Sequence, residues 1–115
     1  MLAIETYIDR LTGTHIMRLV GEADLHGAQM LEHSMDKVLS QHPHAVVIDL
    51  SAVRYMGSPA LGLMLEFQTS LDAAGAVLDL VGPRPNLAAF LRFIHLDTVL
   101  SVHDSIADAL NLVPR

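Results

Sequence analysis

Ser58 lies between Gly57 and Pro59 in the run Tyr55-Met56-Gly57-Ser58-Pro59-Ala60-Leu61-Gly62. A Ser hydroxyl in that position can serve in two ways. It can cap a helix whose first residue is Pro, accepting from backbone N–H groups that have no partner in the first turn. It can also receive a phosphoryl group, and a phosphate there meets the positive end of the helix dipole. The two roles are compatible. Asp24 has the same pair of readings, as an N-cap for the residues after it or as a functional carboxylate. Asp49 and Asp79 each fall late in an apolar run, where open α/β sheets bind ligands at the carboxyl ends of their strands. Either they line such a crevice, or each pairs with a backbone amide or a neighbouring base.

The remaining chemistry is sparse. The chain has 7 His and no Cys. His26 and His33 are seven apart, and His42 and His44 flank Pro43, so no pair has the spacing that brings two imidazoles onto one ion. No metal and no cofactor are expected. Ser58 lacks the G-x-S-x-G context of a nucleophile elbow, and neither G-x-x-x-x-G-K-[ST] nor G-x-G-x-x-G occurs. The residues therefore point away from an enzyme. Met17, Met30, Met35 and Met64 read as core filler, whereas Met56 is placed by its loop as an exposed, adaptable contact.

The elements that must hold these residues follow from periodicity. Leu2 to Asp9 alternates apolar and polar, the pattern of a half-buried strand, and turns through Leu11-Thr12-Gly13 into a second strand, His15 to Val20. Gly21 is expected to break that strand. Asp24 then caps an amphipathic helix with Ala28, Leu31, Met35, Val38 and Leu39 on one face, reaching about Gln41 before Pro43 stops it. His44 to Leu50 reads as a strand buried on both faces. A loop, 51–57, leads to a helix opened by Ser58-Pro59, with Leu61, Met64, Leu65, Leu71 and Ala74 inward and Gly75 as its stop. A buried strand from Ala76 to Val81 follows. Pro85 opens a third helix carrying Leu87, Phe90, Leu91 and Ile94. Thr98 to His103 is a short strand, and Asp104 caps a closing helix with Ile106, Ala109 and Leu110. The order ββαβαβαβα predicts an α/β fold with a mixed, mostly parallel sheet of about five strands and about four helices, its first strand antiparallel to its second.

A chain of 115 residues is the size of one compact domain, so residues 1–115 are expected to form one. The formal charge is −6, from 7 Lys and Arg against 13 Asp and Glu. An acidic chain is a poor match for a phosphate backbone, so no direct nucleic-acid partner is expected. No apolar run reaches the length of a membrane span, and no secretory signal opens the chain, so no membrane insertion is expected. The absence of Cys suits a reducing cytoplasm.

Several segments, taken in order, resemble one family. Gly21-Glu22-Ala23-Asp24-Leu25-His26 is similar to the G-E-x-D segment of STAS domains. Val47-Ile48-Asp49-Leu50-Ser51-Ala52-Val53 resembles their third strand, and Tyr55 to Gly62 stands where the family has its D-S-(S/T)-G-L-G loop. Asp104 to Leu110 resembles the closing helix. STAS domains of this size resemble anti-sigma factor antagonists. The resemblance implies regulation of transcription through an anti-sigma factor that is also a Ser/Thr kinase, with a phosphatase reversing the modification. Carried over by position, Ser58 is the phosphoacceptor, Asp24 the acidic residue beside it, and Gly62 the second Gly of the loop. The implied docking face takes in Asp24, Leu25, His26, Met56, Gly57, Ser58 and Gly62. This chain departs from the family loop at Gly57, Pro59 and Ala60, where the family has Asp, Ser or Thr, and Gly. A cytoplasmic monomer or weak dimer is expected. Two other readings stay open: an accessory subunit bracing a transporter ATPase without phosphorylation, and a small-ligand-binding α/β domain using the crevice near Asp49 and Asp79.

Overall fold

A computed structural model describes residues 1–111. The last four residues of the expected 1–115 domain lie outside the described residues. Strand β1 (Leu2–Ile8) turns back into β2 (His15–Ala23), followed by α1 (Leu25–Ser40), β3 (Ala45–Met56), α2 (Ser58–Ala73) and β4 (Val77–Val81). Then come α3 (Pro85–Phe93), a 3-10 turn at Leu96–Thr98, β5 (Ser101–His103) and α4 (Ile106–Asn111). The strands form one sheet in the order β1-β2-β3-β4-β5. β1 pairs antiparallel with β2, and every later neighbour is parallel. The expected order and sheet are those observed.

Alternation in the strands sends one set of side chains to each face. Met17, Leu19, Val46, Ile48, Leu50, Leu78 and Leu80 point to one side and meet Leu31, Met35 and Val38 of α1, Met64, Phe67 and Leu71 of α2, and Leu87 and Leu91 of α3. This is the main core, and each large aliphatic side chain buried in it contributes about 2 kcal/mol. The opposite face carries a smaller cluster of Ile16, Val47 and Val81 under Ala109 of α4. Three helices therefore share one face, and the short closing helix sits on the other.

Several local expectations need correction. Gly21 does not end β2. It takes φ +110° inside the strand, and a Cβ there would lie 2.1 Å from the Met1 carbonyl oxygen. Only Gly accommodates that backbone approach, so the residue that looked like a break is a close contact within the strand. β3 does not stop at Leu50 but runs on to Met56, because its end pairs with Val20–Ala23 of β2. In α2, Ala74 lies outside the helix and is exposed, while Phe67 enters the core. In α3, Phe90 is 42% exposed and Ile94 lies past the helix end. The last helix is capped by Ser105, whose Oγ accepts from the Asp108 N–H at 3.1 Å, and not by Asp104. β4 and β5 are also shorter than expected, starting at Val77 and Ser101. No helix among the described residues is long and apolar enough to cross a membrane.

Candidate functional site

Parallel pairing of β2 with β3 brings two strand-to-helix junctions side by side. Ala23 is the register partner of Met56, and the Gly57 N–H donates to the Ala23 carbonyl at 2.9 Å. Asp24 and Gly57 are the next residues along, and each is the N-cap of a 16-residue helix. The starts of α1 and α2 therefore open at the same end of the sheet.

Asp24 caps α1 as expected. Its Oδ1 accepts from the Gly27 N–H at 2.8 Å, and that bond to the ionised form lowers the carboxyl pKa. Gly27 is buried, and a Cβ there would meet the Glu22 carbonyl oxygen at 2.8 Å, so the first turn of α1 packs tightly on β2. Leu25, at 67% exposure, and His26 stand out from this turn.

The second junction is built differently. Ser58 is not the cap. Gly57 occupies that position with an extended backbone and no side-chain bond, Ser58 is the first helical residue, and Pro59 follows. The sequence suggested Pro59 as the first helical residue, but the helix begins one residue earlier, which releases the Ser58 side chain from capping. Ser58 and Pro59 are exposed, and the Ser58 hydroxyl makes no hydrogen bond among the described residues. Gly62, four residues on and so on the same helix face, is also exposed, with no atom within 4 Å of the place a Cβ would take.

Met56 is the main correction at the site. It was expected in an exposed loop, but β3 extends through it and the side chain is 8% exposed, inside the core with Ala23 and Ala60. Its neighbour Tyr55, absent from the expected docking face, is 56% exposed. The cause is a pair of irregularities. Between Arg18/Asp49 and Val20/Ala52, and again between Gly21/Val53 and Glu22/Tyr55, β3 advances one residue more than β2. Such bulges re-aim side chains, and the second leaves Arg54 and Tyr55 both facing out. Arg54 reaches the Glu22 carboxylate at 3.1 Å, which lowers the Glu22 pKa. A bulge has no periodic signature. The available signal was an aromatic residue just ahead of the junction in a chain that is only 4% aromatic.

The other candidates lie elsewhere. Asp49 Oδ1 accepts from the Ser51 N–H at 2.9 Å, and its second oxygen lies 3.9 Å from Arg18. Asp79 accepts from His103 at 2.9 Å. Both are on the sheet face away from the three long helices and are held by an amide or a base. His26 and His33 are exposed on α1, and no group of three or more His, Asp or Glu with metal-holding geometry occurs among the described residues. A hollow of about 410 Å³ lies at the far end of α1, between Tyr7, His15, Lys37 and Gln41, away from both junctions.

Comparison with known proteins agrees with this architecture. A family model described as STAS domain matches residues 6–109. The anti-sigma-F factor antagonist RsfB of Mycobacterium tuberculosis is 40% identical over 52 residues, a match spanning 45% of this chain and 43% of that relative's length. The anti-sigma F factor antagonist of Paenibacillus polymyxa is 25% identical over 99 residues, 85% of each chain. Among solved structures, an anti-sigma factor antagonist from Mycobacterium paratuberculosis superposes with a TM-score of 0.88 at 26% identity, covering 98% of this chain and 94% of that one.

Proposed function

This chain belongs to the STAS domain family, and on that premise we propose that it acts as an anti-sigma factor antagonist in the cytoplasm. It is a non-catalytic module that docks an anti-sigma factor through the paired junctions. The relatives named as antagonists support the partner class. The observation that carries the reading is the asymmetry at the junctions. Both helices start at one surface, and at α2 a Ser hydroxyl stands exposed in the first turn with no capping task. Gly62 adds to it. An exposed Gly inside a helix costs about 1 kcal/mol relative to Ala, and nothing packed nearby offsets that here. A bare backbone at that place suits a surface that another chain must approach closely.

Ser58 is the proposed switch. A kinase partner would transfer the γ-phosphoryl group of a nucleoside triphosphate to Ser58 Oγ. The new O–P bond forms as the bond to the diphosphate leaving group breaks, and the hydroxyl proton passes to a base of the kinase. The product places about two negative charges at the start of α2. The helix tolerates an anion there, because its N-terminus is the positive end of the dipole and its first N–H groups lack partners. The partner surface does not. It would have to desolvate a dianion that stands beside Asp24 on a chain already at −6. The modification therefore releases the partner without unfolding the domain, and a phosphatase resets it by hydrolysis.

The test is a titration of the purified chain against each anti-sigma factor of its organism by calorimetry, followed by incubation with the binding kinase and ATP. Saturable binding, with phosphate mapped to Ser58 by mass spectrometry and affinity lost on modification, is expected. Phosphate on another residue, or a phosphorylated chain that binds unchanged, would remove Ser58 as the switch.

A further inference from the structure

Tyr55 is the one large aromatic side chain at the paired junctions, and its seat is Gly57. A Cβ built on Gly57 would lie 3.2 Å from the Tyr55 hydroxyl oxygen and 3.5 Å from its Cε2. The Tyr55 ring therefore lies over the Gly57 backbone, which is buried although it precedes the exposed Ser58. Gly57 has φ −83°, a value open to any residue, so what its missing side chain provides is room for the ring. Below, the bulge at Arg54 turns Tyr55 outward, and the Arg54–Glu22 pair holds the bulged residue on β2. The ring is supported on one side by backbone and half open on the other.

We infer that Tyr55 is the aromatic anchor of the docking face, seated on Gly57, and that residue 57 sets partner affinity by controlling the ring. This deepens the proposed antagonist function and rests on it. The occupant is the anti-sigma factor itself. It would present an apolar pocket for the ring and a cation toward the exposed Asp24 carboxylate, the complement of a chain whose formal charge is −6. Interface energy concentrates in a few residues, with Tyr among the types enriched there, because a ring covers much area while losing few rotamers. Leu25, the other large exposed apolar residue at the two helix starts, contributes area beside it.

The experiment is a double-mutant cycle on the full chain, read by calorimetry against the anti-sigma factor that the natural chain binds. Tyr55→Ala should weaken binding about 30-fold, the size of one hot-spot residue, and leave the melting temperature unchanged. Tyr55→Phe should bind like the natural chain, since the ring and not the hydroxyl fills the pocket. Gly57→Asn keeps a good N-cap and adds no charge, yet its side chain competes with the ring, so it too should weaken binding. In the Tyr55→Ala background, Gly57→Asn should add little, because there is no ring left to displace. Losses that simply add would overturn the coupling. Tyr55→Ala binding within threefold of the natural chain, while Ser58→Asp abolishes binding, would overturn the anchor and leave the antagonist reading standing. A natural chain that binds no anti-sigma factor would overturn both.

Discussion

The junctions at Asp24 and at Gly57–Ser58 occupy equivalent places, each linking one of two neighbouring parallel strands to a 16-residue helix, yet they differ in what their side chains are free to do. At the first, the carboxylate is committed to the Gly27 amide, and a buried Gly locks the turn against β2. At the second, the cap is a Gly without a side-chain bond, and the Ser58 hydroxyl stands one residue later in solvent. Capping and chemistry compete for the same kind of residue, because Ser, Thr, Asp and Asn serve both. The fold meets that competition by closing one helix start with a side chain and leaving the other open.

Beneath the surface the two junctions are alike, since Ala23 and Met56 both lie in the core as register partners. Met56→Lys tests this and carries the largest expected effect. A Lys there would place an unpaired charge in the main core, at a loss of about 4 kcal/mol. Urea denaturation should show a midpoint shifted far down, or no folded chain at all. A Met56→Lys protein with natural stability would put the side chain in solvent and restore the loop reading.

Ser58→Asp comes next. It should weaken partner binding by about 2 kcal/mol, roughly 30-fold, while circular dichroism and the melting temperature stay as in the natural chain. An acid in the first turn of α2 sits well with the helix dipole, so folding has no reason to suffer. If the variant binds as tightly as the natural chain, the open junction is not a switch.

This asymmetry was only half legible in the sequence. Period-two and period-3.6 patterning gave the order of elements because burial acts on every residue of a strand or helix face. The Asp24 cap was legible because its partner, the Gly27 amide, is three residues away. The cap of α2 is not legible because Gly is also an accepted N-cap residue, so Gly57 satisfies the local rules as Ser58 does, and a shift of one residue changes what the hydroxyl does. The extension of β3 to Met56 was hidden for another reason. It is held by pairing with β2, more than thirty residues earlier in the chain, and interrupted by bulges that destroy alternation. Met56 and Tyr55 consequently exchanged roles, the residue expected outside lying in the core and its neighbour standing out.

Gly62→Ala sharpens the contrast on the surface of α2. Its side chain would enter open space, so the substitution should stabilise the chain by about 1 kcal/mol, visible as a raised urea midpoint. If the bare backbone serves the partner, affinity should fall as stability rises. A gain in both would mean that Gly62 lies outside the docking face.

The smallest effect compares the caps themselves and turns on pH. Asp24 has its pKa lowered in the folded chain, chiefly by the Gly27 amide. A depressed carboxylate contributes stability above its unfolded value, about 3.9 for Asp, and loses that contribution as pH falls through the lower folded value. Asp24→Ala should therefore destabilise the chain at neutral pH and make little difference in strong acid. Asp24→Asn keeps a side-chain acceptor without a proton to take up, so it should retain much of the cap and flatten the acid limb. Ser58→Ala should do neither. With Gly57 as the N-cap and no hydrogen bond to lose, its stability should stay within about 0.5 kcal/mol of the natural chain at every pH. Thermal melts of the three variants between neutral pH and about pH 3 decide it. A Ser58→Ala chain that melts like Asp24→Ala would mean that both junctions are closed by side chains, and the hydroxyl assigned to signalling would instead be holding the helix.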